Sequence, residues 1–207
     1  MADLACWYKT QLPSDILNAF NKDINSRDTA SVLNRSTVVD EKKVSNRNIR
    51  KSKNFWISTN HWIGGWIWFY IQKLNRENFK YDILDIDGDQ IQYTHYDTGD
   101  YYHWHSDTEL SVYQADMKSI RSTDESGIVN TNIEYVRKLS FTLQLSSPDD
   151  YTGGELQFLD CSNQSFFAPK DQGSIIVFDS RIRHRVRKVK SGARKSLVGW
   201  VVGPRWR

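Results

Sequence analysis

The stretch "GSIIVFDSRIRHRVRKV", Gly173 to Val189, contains two ways of making a β-strand. In its first half Ile175, Ile176, Val177 and Phe178 form a short apolar run, which reads as a strand. The second half alternates, with Ile182, His184 and Val186 on one face and Arg181, Arg183, Arg185 and Arg187 on the other. The apolar neighbours of His184 place it on the inward face. The bland reading is a core histidine that finds a hydrogen-bond partner.

Working outward, short apolar or alternating runs recur as "YDILDI", "QIQYTHY", "YYHWH", "LSFTLQL", "ELQFL" and "SLVGWVV". They are separated by turn chemistry at Asp87-Gly88, Thr98-Gly99, Gly153-Gly154, Pro169 to Gly173 and Ser191-Gly192. Together with the opening pair this makes eight short strands, which suit a closed or double-sheet antiparallel barrel of the jelly-roll kind. An aromatic share of 13% supplies bulky strand and core residues, and 207 residues suit one domain. The expected class is mainly β with N-terminal helices. Residues 1–55 form a helical and irregular lead-in, and residues 56–204 a helix plus barrel.

In the lead-in, "LPSDILNAF" reads as a helix with Ser14 as its N-cap. "STN", Ser58 to Asn60, reads as the start of a second helix, whose Ile63, Ile67, Tyr70, Ile71 and Leu74 recur at helical spacing and pack along a sheet. Between Asp116 and Tyr135 lies a long polar stretch without strand periodicity.

Composition excludes several classes. Cys6 and Cys161 form neither a disulfide framework nor a Cys-x-x-Cys pair, which fits a reducing cytoplasm. The start "MADLACWYKT" lacks the apolar core of a secretory signal. The longest apolar run, "WIGGWIWFYI", is too short to cross a bilayer, so no membrane partner is expected.

A second stretch gives His184 a different meaning. "YDTGDYYHWHSD", Tyr96 to Asp107, ends on His105-Ser-Asp107, and residues two apart in a strand project to one side. With His184 they supply two imidazoles and one carboxylate, a set that leaves half the coordination sphere of a six-coordinate iron open.

The whole stretch resembles the Tyr-x-x-Gly-x-x-Tyr-x-x-His-x-Asp signature of prolyl 4-hydroxylase-like Fe(II)/2-oxoglutarate dioxygenases, with a match at all five defined positions. "LSSPDDYTGGELQF", "GSIIVFDSRIRHRV" and "VKSGARKSLVGWV" resemble the Gly-Gly-Glu-Leu hairpin, distal-histidine strand and Gly-x-Arg strand of its PKHD-type hydroxylases. The likeness runs from about Trp56 to Trp200.

It implies a double-stranded β-helix holding Fe(II) through His105, Asp107 and His184. The cosubstrates are 2-oxoglutarate and O2, with ascorbate as an optional reductant. Arg194 matches the residue that grips the distal carboxylate of 2-oxoglutarate, a task suited to a planar guanidinium; otherwise it is a surface charge beside a turn. Alternation puts Ser196 on the same face. Tyr96 and Tyr102 stand where the family places active-site tyrosines, though each also suits an ordinary core. Gln144 falls where some relatives contact the cosubstrate, or else faces outward. The implied activity is hydroxylation of a prolyl or other residue in a peptide or protein, yielding succinate and CO2, with a free amino acid or other small molecule as alternative substrate.

Other residues compete. His103, His105 and Asp107 share one face of an ideal strand, and His103-Trp-His105-Ser-Asp-Thr-Glu109 also looks like the metal string of cupins, which would be a metal protein without 2-oxoglutarate chemistry. His61 and His95 have no partner at a useful spacing and read as structural or exposed. Asp124-Glu125 and Asp149-Asp150 read as solvated turns. The arginine row, with Lys188, Lys190 and Lys195, makes a basic stripe, either a solvated face or a contact for an acidic or nucleic-acid-bearing partner. A catalytically silent barrel serving as a basic binding module is the remaining alternative.

Overall fold

The apolar and alternating runs pair into sheets in the computed structural model, which describes residues 5–8, 12–27, 34–35, 49–108 and 135–206. In chain order come β1 (Ala5–Tyr8), α1 (Ser14–Arg27), β2 (Asn34–Arg35), β3 (Arg50–Lys51), β4 (Lys53–Ser58) and α2 (Trp62–Leu74). Then follow β5 (Asp85–Ile86), β6 (Gln90–Tyr96), β7 (Tyr101–His105), β8 (Tyr135–Gln144), β9 (Tyr151–Gly153) and β10 (Leu156–Leu159). The chain continues with β11 (Ser165–Phe167), β12 (Ile175–Asp179), β13 (Arg183–Val186), β14 (Val189–Gly192) and β15 (Arg194–Pro204). The polar stretch after Asp116, the pair Asp124-Glu125, and Glu109 lie outside the described residues.

A major sheet runs β1-β12-β8-β15-β6-β4-β2, with β5 attached to β15, and a minor sheet runs β11-β10-β13-β7-β3. All pairings are antiparallel. This is the expected mainly-β, two-sheet architecture, the double-stranded β-helix flanked by helices.

Alternation along the major sheet separates two environments. Leu139, Phe141 and Leu143 of β8, with Leu197 and Val201 of β15 and Ile91 and Tyr93 of β6, join one core with Phe20 and Ile24 of α1 and Ile63, Ile67 and Ile71 of α2. Their neighbours Ser140, Thr142, Gln144, Ser196, Gln92 and Thr94 are also buried, on the face turned toward the minor sheet. There a second apolar cluster, including Phe158, Phe178, Ile182 and Val186, fills only part of the space between the sheets.

The helix starts differ from the sequence expectation. Ser14 is the first helical residue of α1, because the Pro13 carbonyl already accepts the Leu17 N–H at 3.0 Å. Ser58 ends β4, and the cap of α2 is His61, which is extended (φ −70°, ψ 145°) and accepts the Ile63 N–H on Nδ1. Asp23 of α1 then accepts from the Trp62 indole at 3.1 Å and lies 3.1 Å from His61 Nε2, tying the two helices together. Gly64 is required here, since a Cβ would meet the Thr59 carbonyl oxygen at 2.2 Å. "YDILDI" shrinks to the two residues of β5, and its Tyr81 instead donates its hydroxyl to Asp179 at 2.7 Å. Ser191 and Gly192 lie within β14 rather than in a turn.

Among the described residues, no helix is long and apolar enough to cross a membrane.

Candidate metal centre

Two elements of the minor sheet carry the three metal candidates. His184 on β13 lies opposite His105 on β7 in the strand register, and Asp107 follows two residues beyond β7. Asp107 Oδ1 is 3.7 Å from His105 Nε2, and Oδ2 is 3.5 Å from His184 Nε2. One donor atom from each residue fits within 4.8 Å of the others.

The rings are held in the tautomer a metal requires. His105 Nδ1 lies 2.7 Å from the His103 carbonyl oxygen and His184 Nδ1 lies 3.0 Å from that of Ile182. A carbonyl only accepts, so Nδ1 carries the proton and each Nε2 lone pair is free. Burial, with the His184 ring beside it, pushes His105 down to about 3. Burial by itself would raise Asp107, but His184, His105 and the Ser140 hydroxyl outweigh it and hold the carboxyl below its usual range. Near neutral pH the site therefore offers a neutral imidazole beside a carboxylate.

Ser140 donates to Asp107 Oδ2 at 2.6 Å, and its oxygen is 3.0 Å from the Ser180 hydroxyl. The Asp107 N–H also donates to the Ser180 carbonyl at 2.9 Å. Sequence reasoning missed both serines. The signal for Ser140 was present in "LSFTLQL", where the small polar residues alternate with a helix-facing apolar set.

His103 does not share the metal face. His184 pairs with His105, yet Val186 pairs with Tyr102, so β7 holds one residue more than β13 over that interval. This bulge turns the next residues over. His103 is exposed beside Tyr101, and Tyr102 is stacked on His105 with ring centroids 3.6 Å apart. The cupin-like ligand string thereby loses its first member.

On the major sheet, Arg194 is 2% exposed and donates to Gln144 Oε1 at 3.0 Å and to the Ser196 hydroxyl at 3.3 Å. Its guanidinium carbon lies 5.6 Å from the centre of the buried Tyr96 ring. Thus Gln144 faces inward, and Arg194 is no surface charge. One cavity is lined by His105, Asp107 and His184 at one part and by Tyr96, Tyr102 and Arg194 at another. Between Ser140 and Gln144 on the same strand stands Thr142, whose buried hydroxyl has no hydrogen-bond partner among the described residues.

The outward arginines are more occupied than a bare stripe. Arg181 donates to Asp179 at 2.6 Å and lies over Trp206, Arg185 donates to Gln157 at 2.8 Å and lies over Trp104, and Arg187 is 3.8 Å from Glu155. Arg183 is exposed. His95 is 3.0 Å from Asp97, which also takes a salt bridge from Lys53, a structural cluster. Asp150 and Ser147 cap the turn before β9, as expected of a solvated turn.

A sequence profile of the 2OG-Fe(II) oxygenase superfamily matches residues 91–202, the span holding all three metal candidates and Arg194. The chain belongs to this superfamily. Oxygenases of this superfamily use Fe(II), 2-oxoglutarate and O2, and the residues present fit that set. Two imidazoles and a carboxylate suit a ferrous ion. A buried guanidinium and an unpartnered hydroxyl on one wall suit an acidic, oxygen-rich molecule.

Similar oxygenases include a PKHD-type hydroxylase of Synechococcus sp. (strain JA-2-3B'a(2-13)), 34% identical over 93 residues, which are 44% of this chain and 41% of that protein. Another from Idiomarina loihiensis is 33% identical over 112 residues, 54% of this chain and 41% of that protein. The matched region thus spans about two fifths of these curated relatives. The fold is shared with a Pseudomonas putida prolyl-4-hydroxylase (TM-score 0.68, 19% identity, covering 98% of this chain and 94% of that one). It is also shared with a Trichoplax adhaerens prolyl hydroxylase solved with a hypoxia inducible factor peptide fragment (TM-score 0.69, 16% identity, 96% and 83%).

Proposed function

We propose that the protein is a 2-oxoglutarate-dependent hydroxylase that acts on a prolyl or other residue of a peptide or protein. The observation that carries this reading is one cavity joining His105, Asp107 and His184 to the buried Arg194. When bound, iron with 2-oxoglutarate and O2 supplies the oxidant that turns C–H into C–OH, leaving succinate and CO2.

The chain's own residues do the positioning. His105 and His184 donate Nε2 lone pairs, Asp107 contributes the negative charge, and Ser140 fixes its carboxylate. Arg194, braced by Gln144 and Ser196, would receive the distal carboxylate of the cosubstrate, and Tyr96 and Thr142 line the same cavity. Tyr102 covers one face of His105 and limits water access to the ligand. The names of the PKHD-type and prolyl hydroxylase relatives support the choice of substrate.

The test is to incubate iron-loaded protein with 2-oxoglutarate and capped prolyl peptides. Succinate and a peptide heavier by one oxygen atom are expected. Asp107→Ala should lose both, and full turnover in that variant would overturn the ligand assignment.

A further inference from the structure

The cavity holds a second buried cation that this reading does not use. Arg50, on the short edge strand β3, is 9% exposed and lines the same space as the metal candidates. Its Nε donates to the Ser52 hydroxyl at 2.9 Å, and its Nη2 donates to Gln92 Oε1 at 2.7 Å and toward Thr94 Oγ1 at 3.5 Å. Its guanidinium carbon sits 4.9 Å from the centre of the Tyr102 ring, whose stacking partner is His105. Tyr102 is therefore shared between a metal candidate and a guanidinium.

All the named partners of Arg50 are neutral, and among the described residues no carboxylate lies within ion-pair reach of it. Burying a cation without a counter-charge is costly. The charged residues lining the cavity are Arg50, Asp107 and Arg194, besides the two imidazoles. A ferrous ion, Asp107, dianionic 2-oxoglutarate and Arg194 together sum to zero charge, which leaves Arg50 as the surplus. Its neighbours Gln92 and Thr94 are on β6, whereas Gln144, which braces Arg194, is on β8 on the other side of β15. The two guanidinium groups are thus braced by strands on opposite sides of β15.

We propose that Arg50 is a specificity-determining residue that receives a carboxylate of the substrate, so that the preferred substrate is anionic close to the carbon being oxidised. This rests on the hydroxylase reading for its chemistry but not for its binding. The carboxylate has three sources, namely a free amino acid, a peptide C-terminus or an acidic side chain next to the target residue. The guanidinium accepts any of them through paired charge-assisted hydrogen bonds.

The test is calorimetric titration under nitrogen of protein loaded with iron and 2-oxoglutarate. The probes are L-proline, acetyl-Gly-Pro-Gly-amide, the same peptide with a free C-terminus, and acetyl-Gly-Pro-Asp-amide. At least one carboxylate probe should bind roughly tenfold or more tighter than the neutral capped peptide, and in Arg50→Gln this preference should fall to about twofold or less. Which probe gains identifies the source. Arg50→Lys, which keeps the charge and can hold the strand pairing, should retain part of the preference. Both variants should bind 2-oxoglutarate as the wild type does.

The proposal is overturned if no carboxylate probe outbinds the neutral peptide, if Arg50→Gln keeps the preference, or if its loss is in 2-oxoglutarate affinity instead. Should the wild type fail to bind 2-oxoglutarate, the hydroxylase reading falls. The same titrations on protein carrying iron alone then still decide whether Arg50 takes the carboxylate.

Discussion

The two faces of the major sheet obey opposite rules. One face, carrying Phe141, Leu143, Ile91, Tyr93 and Leu197, is dry and closed by α1 and α2. The other, carrying Ser140, Thr142, Gln144, Thr94 and Ser196, is buried as deeply yet polar. Each strand serves both through the two-residue period of its side chains. Apolar burial supplies most of the stability, which lets the opposite face retain charged and unsatisfied groups that would be costly in a core. In the major sheet, helix packing and the polar wall of the cavity are thereby assigned to alternate residues of the same strands.

The largest test of this division is a pair of variants. His184→Gln should remove iron-dependent turnover of 2-oxoglutarate altogether while the thermal midpoint of the metal-free protein changes little, because a side chain of similar size still fills the space beside Phe178. Ile67→Ala, on α2, should cost about 2–5 kcal/mol in urea unfolding through the cavity it leaves. At low temperature it should leave iron affinity unchanged. A large loss of iron affinity in Ile67→Ala would show that the two faces are not independent.

A smaller effect sharpens the polar side. Ser140→Ala should weaken iron binding about 10- to 100-fold, since the hydroxyl orients the Asp107 carboxylate rather than ligating. Stability should change by about 1 kcal/mol or less, as befits one hydrogen bond. Equilibrium dialysis of the metal against both proteins reads the difference. Equal affinities would mean that Asp107 is held without the serine.

How legible all this was in the sequence depends on how local each signal is. The metal set was readable because His105 and Asp107 share a two-residue spacing and His184 has apolar neighbours, and the helix-facing residues of α2 were readable from their period. His103 was misplaced by the ideal alternation because a bulge adds one backbone residue without any compositional mark. The start of α2 was misread because histidine is an uncommon cap, and what fits it for the role is a partner in another helix, Asp23. Arg50 escaped notice because it falls in the irregular part of the lead-in, which carries no strand periodicity. Its defining contact, with Gln92, is 42 residues away in the chain. Only pairing across sheets reveals such a residue.

The smallest effect concerns neither face but the seam at the end of β12. Tyr81 donates to Asp179, and Arg181 donates to the same carboxylate at 2.6 Å. Burial, then the hydrogen bond and charge of Asp179, push the Tyr81 hydroxyl up from 10.0 to about 12. The folded state thus favours the protonated phenol more than the unfolded chain does. Its contribution is complete below pH 10 and is lost as pH rises from about 10 to about 12. Tyr81→Phe should lower stability by about 1 kcal/mol at pH 8, through the missing hydrogen bond. The gap between the two proteins should then close through that alkaline window. Urea midpoints measured at intervals across it provide the check. A gap that stays constant would mean the tyrosine contributes only its ring, packed on Phe79 and Trp206, and that the seam is held by Arg181 and Asp179 alone.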